Sequence, residues 1–118
     1  MFKVFECKEC KAQVMTFNEE KMNCCGKEMV ELIPNSVDAA FEKHVPTYEV
    51  VDEKVKVKVN HVMEEEHYIE WIAYVEENNH DVRYFEPYMT AETDFKYVKG
   101  AKLYAYCNKH GLWMSEVK

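Results

Sequence analysis

Four of the five cysteines fall between Cys7 and Cys25, amid short polar stretches. So short a segment cannot bury enough apolar surface to fold by itself, so something covalent or metallic must hold it. Cys7-x-x-Cys10 lets two sulfurs converge from one tight turn, and the adjacent pair Cys24 and Cys25 supplies two more. Neighbouring cysteines pair poorly with each other, because a disulfide wants a wider Cα separation than a trans peptide allows. Four thiolates do complete a tetrahedron of the kind that holds zinc or a single iron, and the ion's binding energy then becomes folding energy. The ligands do not distinguish iron from zinc in this site. The competing reading, buried or disulfide-bonded cysteines, is disfavoured in a chain that shows no apolar export signal.

Composition shifts at Leu32-Ile33-Pro34-Asn35-Ser36. The boundary is placed at residue 35, giving a four-cysteine metal domain over 1–35 and a second domain over 36–118. The second domain reads as β. Val55, Val57 and Val59 alternate with Lys54, Lys56 and Lys58, the mark of a half-buried strand. His67 to Val75 alternates as well, with Ile69, Trp71, Ala73 and Val75 on one face and Tyr68, Glu70, Ile72 and Tyr74 on the other. Both faces are partly apolar, which predicts an interior strand headed by His67. Asn78 to Asp81 is a turn by composition and takes His80 with it. Val82–Phe85, Asp94–Val98 and Leu103–Tyr106 follow as short strands. The fold class is therefore all-β: a small metal-binding module followed by an immunoglobulin-like antiparallel β-sandwich. Glu64, Glu65 and Glu66 form a solvated loop face.

The remaining chemistry lies in three separated segments: Glu42-Lys43-His44-Val45-Pro46, the pair His61 and His67, and Cys107-Asn108-Lys109-His110. They hold four of the five histidines and the one remaining cysteine. A soft thiolate with several imidazoles suits a redox-active first-row metal better than calcium or magnesium. Five donors on one ion exceed the four of a closed structural zinc site, which points to iron with one position left for a small substrate.

The first segment resembles desulforedoxin-type modules, whose Cys-x-x-Cys and Cys-Cys-Gly pattern matches Cys7, Cys10 and Cys24-Cys25-Gly26. Lys11 stands where that family usually has glycine, and the span between the cysteine pairs is shorter. Together with the three later segments, in the same order, the chain resembles desulfoferrodoxin, the two-iron form of superoxide reductase. Val62 replaces a proline common after the histidine. The resemblance implies iron held by His44, His61, His67 and His110 in a plane with Cys107 axial, and iron or zinc on the four cysteines, a rubredoxin-like site. It implies one-electron reduction of superoxide to hydrogen peroxide without release of O2. It also implies a homodimer and an electron donor such as rubredoxin or an NAD(P)H-dependent reductase. Lys43 is expected to attract the anion and orient water. Glu42 is expected to become the sixth ligand once the iron is oxidised, and Lys109 is a weaker source of positive charge. For the four-cysteine centre, folding the module is favoured over an obligatory electron relay.

A formal net charge of -7 without a basic stripe argues against nucleic acid. No apolar run nears the ~20 residues that span a bilayer, so no membrane association is expected. Five cysteines without an export signal suggest a reducing compartment, and the cytoplasm is the expected location. Trp71 and Trp113 are read as core and cover. Two rival readings stay open on residues alone. One is a non-enzymatic iron electron carrier, and the other is a zinc-ribbon module whose sandwich binds a protein partner.

Overall fold

Where one face of a strand is buried, the two-residue period of the apolar residues decides the register; where a strand is too short for a period, turns decide it. Both cases occur in the computed structural model, which describes residues 1–18 and 21–118. The chain folds into two compact units, Met1–Ile33 and Pro34–Lys118.

The first unit is made of minimal strands: β1 (Lys3–Glu6), β2 (Gln13–Thr16), β3 (Asn23–Cys24), β4 (Lys27–Glu28) and β5 (Val30–Leu32). One sheet runs β2-β1-β5 and a separate hairpin pairs β3 with β4, all antiparallel. Strands of two to four residues have no hydrophobic period to read, and the sequence does not announce them. The hairpin loop is Cys25-Gly26, with φ of 53° and 75°. A two-residue loop with both φ positive is a type I′ turn, and Gly26 is at ease there because it has no Cβ.

The second unit contains β6 (Thr47–Val51), β7 (Lys54–Lys58), β8 (Ile69–Val75), β9 (His80–Tyr84), β10 (Glu92–Lys96), β11 (Lys102–Cys107) and β12 (Gly111–Glu116). They form two antiparallel sheets, β10-β7-β6 and β12-β11-β8-β9. One apolar cluster joins Val55, Val57 and Val59 with Phe95, Ile72, Tyr74, Leu103 and Ala105. Tyr74 stacks on Phe95 across the sheets, with ring centroids 4.7 Å apart. This is the expected sandwich. Each buried valine contributes about 1.5–3 kcal/mol. An exposed pair such as Arg83–Asp81 gives at most about 1 kcal/mol, so the core sets the fold.

Four details depart from expectation. His80 does not sit in the turn but opens β9, opposite Val75, because the loop is only Glu76–Asn79, closed by the Glu76 N–H donating to the Asn79 carbonyl. β6 and β12 lie outside the strands that alternation predicts. The first is mostly exposed, and the second buries the neighbours Leu112 and Trp113, which hides any alternation. His67 does not head β8; it lies in an isolated bridge with Glu64, two residues before the strand. Finally, Ile69 joins Ile72 and Tyr74 in the core rather than facing away with Trp71. The ladder explains this: Trp71 pairs with Tyr106 but Ile69 pairs with Cys107, leaving Glu70 as the extra residue of a β-bulge. That bulge turns Ile69 and Cys107 to the same side.

Candidate metal centres

The two groups of candidate ligands are brought together separately. In the first unit the four cysteine sulfurs lie within 4.8 Å of one another. Cys7 and Cys10 sit on the turn after β1, closed by the Cys7 N–H to the Ala12 carbonyl and the Lys11 N–H to the Cys7 carbonyl. Lys11 adopts φ 68°, the left-handed conformation that explains why a glycine suits this place. Cys24 and Cys25 come from the β3–β4 hairpin. Cys10 Sγ is 3.6 Å from Cys24 Sγ, and Cys24 Sγ is 3.9 Å from Cys25 Sγ. Sulfurs tetrahedrally placed at ~2.3 Å from an ion are about 3.8 Å apart, so the sulfur set fits one ion. The Cys10 amide, 3.5 Å from Cys7 Sγ, is the main cause that lowers the Cys7 thiol to about 7. Hydrogen bonding with Cys7, then Cys10, pushes Cys24 up to about 12.

In the second unit, one donor atom from each of His44, His61, His67, Cys107 and His110 falls within 4.8 Å of the others. His44 follows a single 3-10 turn, Phe41–Lys43. His61 and His67 bracket the loop before β8. Cys107 ends β11, and His110 closes the three-residue hairpin loop that leads to Gly111, whose φ of 80° completes the reversal. The four rings form a closed cycle, His44–His61–His67–His110, with neighbouring centroids 4.7, 4.6, 5.0 and 4.9 Å apart. Cys107 Sγ lies 3.4 Å from His61 Nε2 and 3.9 Å from His110 Nδ1.

The nitrogens are sorted by their second bonds. His44 Nδ1 is 2.7 Å from the Ala40 carbonyl and His61 Nδ1 is 2.5 Å from the Val62 carbonyl, so each donates there and turns a bare Nε2 inward. His44 Nε2 and His110 Nδ1 face each other at 3.1 Å. His67 Nε2 is buried and has no hydrogen-bond partner. An orphaned buried nitrogen costs free energy unless something binds it, and inward lone pairs are what a cation needs. Burial keeps His61 neutral down to about 4 and lowers His67 as well. Burial also pushes the Cys107 thiol up, so a cation must displace its proton. The residues therefore fit a soft, nitrogen-binding ion.

Trp113 braces two of the rings. It stacks on His44 at 4.9 Å and donates its indole N–H to the His110 carbonyl at 3.0 Å. Glu42 and Lys43 lie on the turn just before His44, both exposed, and Lys109 is exposed in the β11–β12 loop. Sequence reasoning missed the Ala40 and Val62 carbonyls, since backbone acceptors leave no residue-type signal.

Residues 36–116 match the family model described as Desulfoferrodoxin. A desulfoferrodoxin of Syntrophotalea carbinolica is 39% identical, over 96% of this chain and 94% of that protein. A superoxide reductase of Pyrococcus horikoshii is also 39% identical, over 70% of this chain and 92% of its own. Among solved structures, the superoxide reductase from Treponema pallidum superposes with a TM-score of 0.77 at 27% identity, covering 98% of both chains.

Proposed function

This chain belongs to the desulfoferrodoxin family, and on that premise we propose that it is a superoxide reductase. It passes one electron to superoxide, which leaves as hydrogen peroxide after taking up two protons, and no O2 forms. The observation that carries this reading is the convergence of four imidazoles and one thiolate within 4.8 Å. His44, His61, His67, His110 and Cys107 would hold iron, which would supply the electron to a small anion bound beside them.

The chain's residues do the rest. His44, His61, His67 and His110 are the neutral donors and Cys107 the single anionic one, whose electron density would make a product oxygen held at the site more basic, while the imidazoles and ready protonation would favour its release as peroxide. Lys43, at the end of the turn that delivers His44, attracts the anion and orients water toward it. A local cation focuses an anion even on a chain of net charge -7. Glu42, beside it on the same exposed turn, is the carboxylate that would bind the oxidised iron as a further ligand. Cys7, Cys10, Cys24 and Cys25 hold iron, or zinc, in a domain of residues 1–35 whose role is to fold that module, with residues 36–118 as the catalytic domain. The electron donor is a rubredoxin-like carrier or an NAD(P)H-dependent reductase, and the protein is a homodimer. Five unbridged cysteines suit a reducing compartment, which supports the cytoplasm. Among the described residues, no helix is long and apolar enough to cross a membrane.

The test is metal analysis with spectra and turnover. Iron-loaded, oxidised protein should show a red thiolate-to-iron band that shifts on adding azide or cyanide. The reduced protein should convert superoxide to peroxide without evolving O2. A band insensitive to both anions would favour an electron carrier. Zinc on the cysteines with no iron on the histidines would favour the interaction module.

A further inference from the structure

We propose that Asn108 is a positioning residue for the five-donor centre, because its carboxamide grips both peptide groups that flank His67. The inference rests on reading His67 and Cys107 as ligands of one ion. The Tyr68 N–H donates to Asn108 Oδ1 at 3.0 Å, and Asn108 Nδ2–H donates to the Glu66 carbonyl at 3.0 Å. The Asn108 N–H adds a bond to the Tyr68 carbonyl at 3.3 Å. The residues before and after His67 are thus tied to the residue that follows Cys107 and opens the loop carrying His110.

His67 needs this more than its neighbours do. His44 and His61 are oriented by their own second nitrogens, on the Ala40 and Val62 carbonyls. Trp113 stacks on His44 and bonds the His110 carbonyl. Among the described residues, His67 Nε2 has no hydrogen-bond partner. The ring meets the His61 and His110 rings, and its direction depends further on its backbone, which sits in a short exposed turn held otherwise by two bonds with Glu64, at 3.0 and 3.2 Å. Asparagine suits the task because one planar group offers an acceptor and a donor side by side. Aspartate keeps the acceptor but sets an oxygen against the Glu66 carbonyl, and alanine has neither.

The experiment uses the full-length, iron-loaded protein. Asn108→Ala should weaken iron binding at the histidine centre about 10–100-fold, the usual cost of losing a residue that orients a ligand. It should shift or broaden the red thiolate band, and exchange at the Tyr68 amide should rise about fivefold. Asn108→Asp, which keeps the shape and the Tyr68 bond but loses the one to Glu66, should weaken iron binding and move the band while leaving Tyr68 exchange near wild type, and serves if the alanine variant does not fold. Val55→Ala, a core truncation beside Phe95 at the opposite end of β7 from His61, should lower the melting temperature without moving the band. Wild-type affinity and an unmoved band in the Asn108 variants, or an equal band change in Val55→Ala, would overturn the assignment. Wild-type protein that takes up iron without a thiolate band would instead defeat the five-donor reading beneath it.

Discussion

The four-sulfur and five-donor centres are built in opposite directions. Around the first, the strands that carry the cysteines are two to four residues long, and Cys10 and Cys25 are exposed. Two turns in left-handed conformations bring the sulfurs together. Around the second, Cys107 is wholly buried in the core cluster, and its neighbours are set by a seven-strand sandwich, a bulge at Glu70 and named hydrogen bonds. In the first unit an ion is expected to organise the fold; in the second the fold organises the candidate ligands.

The sharpest way to break that contrast is to remove a ligand from the first centre. Cys24→Ala should unfold residues 1–33 outright, since the metal's binding energy is that unit's folding energy. Amide exchange should show loss of protection over β1 to β5 while β7, β8 and β11 stay protected. Persistence of β1–β5 in the variant would mean the module has a core of its own.

A second, intermediate effect sharpens the contrast from the other side. If the sandwich preorganises bare imidazoles, then metal-free protein should resent acid. Folded His61 stays neutral down to about 4, whereas an ordinary histidine protonates near 6.5. Below 6.5 the unfolded chain therefore binds a proton that the folded one refuses. This group's share of stability is intact above about pH 6.5, falls between 6.5 and 4, and is level below that. His67 is shifted in the same direction by burial and adds to the slope. Urea midpoints of metal-free protein from pH 8 to 4, followed by fluorescence of Trp71 and Trp113, both in the sandwich, should show the decline. A flat profile would mean the rings are not held neutral.

The smallest expected effect concerns charge. Lys43→Ala should slow association with superoxide several-fold and flatten its dependence on ionic strength, with iron retained. Stopped-flow or pulse measurements at two salt concentrations decide it. Identical rates in both proteins at both would remove Lys43 from the encounter.

How much of this was legible beforehand differs by region for physical reasons. The cysteine spacing announced a metal-held module because thiolate chemistry depends on few positions. The strand of Val55, Val57 and Val59 was legible because one of its faces meets water. β12 was not, since Leu112 and Trp113 are both buried. Periodicity alone puts Ile69 on the Trp71 face, and only the bulge at Glu70 corrects it. Bulges are tertiary events, visible in a ladder and silent in a string of residues. The histidines could be named as a set from their motifs. Their order around the cycle, and the clamp by Asn108, needed coordinates.

Sealing Cys107 inside apolar surroundings gives the molecule a built-in chemical label. With no metal bound, alkylating reagents should reach the four cysteines of the first unit and leave Cys107 untouched, because its sulfur is buried in the core cluster. Counting modified sulfurs by mass would then report, on an unfractionated sample, which molecules carry a loaded first centre. Modification at position 107 would in turn mark chains whose sandwich has come apart.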